Sequence, residues 1–224
     1  MRKYNLGFIE DKQFFNHVRE MVERLTTSMD LKKFSKNIID PIKMTIEMHA
    51  YQITLEEAVA REVARQMGKT VEDAIGWFHQ NIFKYIPGWQ IPDDGVDVMN
   101  DKMTIFGFFV RSHALTQKHE GIDITRVAKG IVIGNPNAKV FLIKSQGDNC
   151  ETENSTPPTY DASCKETTMG QVNQITIPQF YEVVSGYRDA YLRVSKCLDE
   201  ALQEIGLGNI LKNKIDKCIS ETIR

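Results

Sequence analysis

The amino-acid sequence predicts an α/β fold: a small mixed central sheet flanked by helices, preceded by a helical N-terminal region. Three observations carry this. Residues 1–86 place apolar side chains at helical spacing between recognisable caps, residues 87–186 turn to short β-branched and aromatic runs, and helical patterning returns over residues 187–224. At 224 residues the chain is long enough for one well-buried core and short for two independent ones. The expected organisation is a single domain, 1–224, with a polar loop at 146–170 interrupting the sheet core.

The helical part opens with Asp11 as cap and Phe14, Phe15, Val18, Met21, Val22 and Leu25 along one face. A second helical stretch follows Asp30 through Leu31, Phe34, Ile38 and Ile39, and Pro41 breaks or restarts it. Thr54-Leu-Glu-Glu57 is a capping-box pattern leading into Ala58 to Met67, with Gly68 as the expected stop. Thr70-Val-Glu-Asp73 repeats the signal and starts a helix carrying Val71, Ala74, Ile75, Phe78, Ile82 and Tyr85, which ends before Pro87-Gly88.

The sheet region begins with a hairpin, Val96 to Met99 and Thr104 to Val110, turned at Asn100-Asp101. Ile122 to Ile133 has helical spacing, Ala138 to Ser145 reads as a buried strand, and Gln171 to Ile177 alternates like another. Pro178 sits in the first turn of a helix through Phe180, Tyr181, Val183 and Val184. Helices over Asp189 to Ile205 and Asn209 to Ile223 finish the chain.

Composition narrows the function classes. A formal charge of -2 gives no bulk attraction to nucleic acid, so any DNA contact must come from a local basic patch. No apolar run is long enough to span a membrane, and Met1-Arg-Lys-Tyr-Asn lacks the apolar core of a signal peptide, so a cytoplasmic location is expected. Cys150, Cys164, Cys197 and Cys218 form no C-x-x-C pair and read as reduced thiols; a metal site joining Cys150 and Cys164 to His113 and His119 is the other reading.

Four stretches carry a resemblance. Asn5-Leu-Gly-Phe-Ile-Glu-Asp-Lys12 with Phe15-Asn-His-Val18, Ser35-Lys-Asn-Ile-Ile-Asp-Pro-Ile-Lys43, Ile75-Gly-Trp-Phe-His-Gln-Asn-Ile-Phe-Lys-Tyr-Ile86 and Ile175-Thr-Ile-Pro-Gln-Phe-Tyr-Glu-Val-Val-Ser-Gly186 occur in order along the chain. The sequence resembles the type II restriction endonucleases that cut GGNCC and GGWCC sites in duplex DNA. The resemblance implies a restriction-endonuclease-like PD-(D/E)xK core, Mg2+ as cofactor, double-stranded DNA as partner, and a homodimer matching a palindromic target. In that core an Asp on one strand and a Glu-x-Lys on the next meet at one face. Two carboxylates hold the metal against the scissile phosphate, and the lysine helps orient the attacking water.

On that resemblance Gly95-Val-Asp97-Val-Met-Asn supplies the first acid, making Asp97 the candidate catalytic residue and metal ligand. The Glu and Lys positions of the next strand fall on Phe108 and Val110, and His113 matches a histidine that follows the family's lysine. Neither Lys118-His-Glu120 nor Glu10-Asp-Lys12 lies on a suitable strand to replace them. Asp97 is therefore either an inherited ligand or a turn-adjacent acid satisfied by backbone amides. Glu62 is either a glutamate completing a metal shell from a preceding helix or part of a solvated helix face. His79 reads as a core-edge histidine rather than a DNA contact.

Arg111, Lys118, His119, Arg126 and Lys129 place positive charge just beyond the hairpin, where they can meet phosphates or guanine edges, or form a solvated surface broken by Glu120 and Asp123. Three functions follow as alternatives: a Mg2+-dependent type II endonuclease, a nuclease-fold homologue with weak or lost cleavage that binds DNA, and an interaction protein.

Overall fold

The structure is a computed structural model that describes residues 2–28, 40–93, 95–110, 118–119, 122–144 and 172–213, with the backbone alone at 28, 118, 119, 122, 123 and 125. Two compact units are present: residues 1–14 with 80–197, and 15–79 with 198–224.

The first unit holds a five-stranded mixed sheet in the order β1-β2-β3-β6-β7. Its strands are β1 (Trp89–Gln90), β2 (Val98–Asn100), β3 (Ile105–Val110), β6 (Lys139–Lys144) and β7 (Val172–Thr176). β1, β2 and β3 pair antiparallel, and β3, β6 and β7 pair parallel. A separate two-stranded ribbon, β4 (Lys118–His119) and β5 (Ile122–Asp123), precedes helix α4 (Ile124–Gly134), so the helical pattern from Ile122 begins two residues later than its spacing predicts. Among the described residues the other helices are α1 (Asp11–Ser28), α2 (Pro41–Tyr51), α3 (Leu55–Ile82) followed by a 3-10 turn (Phe83–Tyr85), α5 (Ile177–Ser185) and α6 (Ala190–Ile205), with residues 207–213 again helical.

Alternation along β3 and β6 sorts their side chains between the two sheet faces. Phe106 and Phe108 join Val140 and Leu142 in a buried cluster closed by Ile124 and Ala128 of α4. On the other face, Phe180 of α5 lies 6.1 Å from Phe141 and 5.1 Å from Phe83, ring centre to ring centre. That approach needs a glycine: a Cβ on Gly107 would stand 2.7 Å from Val98, 2.8 Å from Ile143 and 3.1 Å from the Phe180 ring. The sheet is thus covered on both faces, as the sequence predicts.

The turn between β2 and β3 is held mainly by the Asn100 side chain, and Asn135 Nδ2 donates to the Met103 carbonyl at 3.1 Å. Asn100 Oδ1 accepts the amides of Thr104 and Ile105 at 2.8 and 2.9 Å, while its Nδ2 donates to Thr104 Oγ1 at 3.0 Å. This local bonding lets Met103 adopt a φ of 54°, a region costly for a side-chain-bearing residue.

In the second unit, α2 starts at Pro41 with Asp40 accepting the Ile42 amide at 2.9 Å, so the proline opens a helix. The Thr54–Glu57 capping box forms, with the Glu57 carboxylate taking the Thr54 amide at 2.8 Å. The expected stop at Gly68 does not occur: α3 runs through it for 28 residues. A mid-helix glycine costs about 1 kcal/mol relative to alanine, less than ending and recapping a helix would. Thr70 correspondingly gives its hydroxyl back to the Gln66 carbonyl at 3.3 Å instead of capping a new helix. His17 is fully buried, bonds the Phe78 carbonyl through Nε2 at 3.0 Å and stacks on Trp77 at 4.8 Å. The sequence words Phe15–Val18 and Ile75–Ile86 therefore meet in packing. The stretch around Leu31 to Ile39, the 146–170 loop, and the last helix beyond residue 213 lie outside the described residues.

Candidate active centre at the hairpin

Asp97 stands one residue before the first rung of the β2–β3 ladder, where Val98 pairs Gly107. Its amide donates to the Gly107 carbonyl at 3.2 Å, and its carboxylate turns into the ladder, Oδ2 accepting the Phe109 amide at 2.7 Å. The side chain thus substitutes for the next backbone rung. A strand amide in a half-buried position needs an acceptor, and an ionised carboxylate is a stronger one than a carbonyl.

The surroundings are hydrocarbon. Phe106 and Phe108 are buried against Val140 and Leu142, and Val110 packs on the same cluster. Phe109, on the other face, lies 6.2 Å from Phe83 ring to ring. β3 thus carries no carboxylate on either face. Among the described residues, no three His, Cys, Asp or Glu side chains gather in a group that could hold a metal ion. Mg2+ gives up water reluctantly and takes hard oxygen ligands in a near-octahedral shell. One carboxylate with an oxygen committed to a strand amide, set among phenylalanines, does not fit that ion.

Glu62 lies in the second unit, on α3, and is 6 % exposed. Its carboxylate accepts from Arg65 Nε at 2.9 Å and Nη2 at 2.6 Å, from Gln66 Nε2 at 2.9 Å, and from Lys43 of α2. The Arg65 guanidinium, with Gln66 and Lys43 beside it, holds this carboxyl well below the usual carboxylate range against the opposing effect of burial. Such an acid is charged at any working pH, but its oxygens already serve an ion cluster joining α2 to α3. His79 is half-buried, and burial pushes its imidazole down to about 4, so it is neutral near pH 7.

The basic candidates are only partly placed. Arg126 and Lys129 are exposed on α4, and Lys118 and His119 form β4. Arg111 and His113, with Cys150, Cys164 and Cys218, lie outside the described residues. Cys197 is buried and its thiol donates to the Tyr4 carbonyl at 3.2 Å. Glu10-Asp-Lys12 sits at the start of α1, where Asp11 Oδ1 accepts the Tyr4 and Asn5 amides at 3.1 and 3.0 Å.

One residue at this end of the sheet was missed in the sequence. Lys144 ends β6, pairs in register with Val110 on one side and Thr176 on the other, and so shares the face of Leu142 and Phe108. Its only sequence signal is a lysine closing the apolar run Val140–Ile143, which does not reveal the strand beside it.

No described helix is long and apolar enough to cross a membrane. The family model described as Eco47II restriction endonuclease matches residues 6–207. Two curated relatives align along most of the chain. The type II restriction enzyme Sau96I of Staphylococcus aureus is 27 % identical over 213 residues, covering 89 % of this chain and 80 % of its own. The type II restriction enzyme Eco47II of Escherichia coli is 26 % identical over 210 residues, covering 89 % of this chain and 87 % of its own.

Proposed function

The chain belongs to the Eco47II restriction endonuclease family, and from that premise we propose that it is a type II site-specific deoxyribonuclease of a restriction-modification system whose cleavage is weak or lost while duplex binding is retained. The observation that supports loss of cleavage is the composition of β3: Phe106, Phe108 and Val110 occupy the face where a second acid and a lysine would stand. Asp97 marks the inherited position of the centre, and its carboxylate now serves the sheet. The donor set described around Asp97 does not suit a magnesium ion.

Binding asks less of the protein than cleavage. Phosphate contact needs cations at the right spacing, and Arg111, Lys118, His119, Arg126 and Lys129 follow the hairpin in sequence. A palindromic site favours a two-fold homodimer. In this reading His113 keeps the sequence place of the histidine that follows the family's lysine, a catalytic candidate with Asp97, and Glu62 braces α2 against α3.

The test is a plasmid digest with Mg2+ or Mn2+ beside a gel shift on a GGNCC duplex. The expected result is no site-specific fragmentation together with a salt-sensitive shift. Clean fragments abolished by Asp97→Ala would overturn the loss of cleavage. Neither cleavage nor a shift would overturn DNA binding and leave an interaction role.

A further inference from the structure

Resting on the DNA-binding reading above, we infer that Lys144 is a phosphate contact for duplex DNA, set at the centre of the lip formed by the carboxyl ends of β3, β6 and β7. The three strands finish level: Val110, Lys144 and Thr176 stand side by side in the parallel register. In parallel sheets the carboxyl ends of the strands form the crevice in which ligands gather.

Among the described residues that end these strands, Lys144 carries the charge. Val110 offers hydrocarbon, and Thr176 is engaged with the helix it starts, its amide and hydroxyl both meeting Gln179 Oε1, at 2.8 and 3.2 Å. Lys144 is half-buried and shares its sheet face with Leu142, the setting in which a lysine lays its aliphatic stem on apolar surface and keeps its charge in water. Among the described residues its side chain has no ion pair or hydrogen bond. A lysine ammonium makes its strongest hydrogen bonds to anionic oxygens such as those of a phosphate. The other lysine of this strand, Lys139, lies at the opposite end.

Chain direction brings further charge to the same lip. Arg126 lies in the first turn of α4, the crossover that returns to β6. A crossover between parallel strands begins at the carboxyl end of the first strand, the end at which Lys144 stands. Phosphodiester oxygens are the ligand chemistry that cations at a crevice edge recognise.

The full chain, with unchanged circular dichroism as the control for folding, tests this by the salt dependence of binding to a GGNCC duplex. Lys144→Gln is expected to weaken binding several-fold and to reduce the slope of log K against log salt by about 1, the signature of one lost phosphate contact. Lys144→Arg retains the slope, Lys139→Gln leaves it unchanged, and Val110→Lys in the Lys144→Gln background restores it from the neighbouring register position. An unchanged slope in Lys144→Gln, or an equal loss in Lys139→Gln, overturns the assignment while duplex binding by the unaltered chain stands. Absence of binding by the unaltered chain overturns both readings.

Discussion

Asp97→Ala and Asp97→Asn separate two roles for the hairpin acid by stability alone. The Asp97 carboxylate accepts the Phe109 amide at 2.7 Å in a part-buried position. Alanine removes the acceptor and leaves that strand amide unsatisfied, which costs about 1–3 kcal/mol. Asparagine keeps an oxygen of the same reach and loses only the charge assistance, which costs about 1 kcal/mol or less. For a chain of this length each kcal/mol moves the midpoint by about 2–4 °C, so alanine should melt several degrees below asparagine. Urea unfolding followed by circular dichroism measures the difference, and adding Mg2+ should leave the unaltered protein's midpoint in place. A metal ligand behaves oppositely: both variants lose the ion alike, and release of a repelled carboxylate can even raise stability without metal. Equal melting of the two variants, or a Mg2+-dependent rise in the unaltered protein, would refute the sheet-closing role.

Four other outcomes follow from the same geometry. Gly107→Ala should destabilise the fold by about 1–3 kcal/mol, because the added methyl meets Val98, Ile143 and Phe180 at once; a neutral result in chemical unfolding would mean that the β3–α5 packing is looser than described. His79, held down to about 4 by burial, binds its proton more readily in the unfolded chain, whose histidines titrate near 6.5. Its contribution is therefore complete above about pH 6.5 and lost as pH falls towards 4, by on the order of 2–3 kcal/mol; His79→Gln should flatten that part of the stability profile, and superimposable profiles would count against it. Glu62→Ala should cost on the order of 1 kcal/mol, since Lys43 and Arg65 are exposed and regain water, with duplex affinity unchanged if the residue only braces α2 against α3. Phe108→Glu with Val110→Lys should introduce Mg2+ or Mn2+ affinity detectable by calorimetry in a less stable protein, and a folded double variant with no heat of binding would show that the strand positions are misassigned.

Much of the fold was legible because its signals are local. The Thr54–Glu57 box, the proline starts at Pro41 and Pro178, the Asn100 turn and the apolar run Val140–Ile143 each declare themselves within a few residues. The same locality misled at Gly68, where a stop signal and a fresh capping pattern suggested two helices and the chain formed one. β1 escaped notice because two residues hold too little pattern; Trp89 is a strand residue only through its pairing with Asn100.

By itself the sequence determined the α/β class, the hairpin around Asp97, and the absence of an acid-x-Lys pattern on the strand that follows it. Tertiary structure alone decided what these side chains do. Asp97 closes a ladder because the Phe109 amide, twelve residues on, meets its carboxylate. Glu62 is saturated because Lys43 reaches it from another helix. Lys144 stands beside Val110 only in a parallel register set by packing of both strands against α4 and α5. Periodicity records which face of an element is buried, whereas register and hydrogen-bond partners depend on elements far apart in the chain.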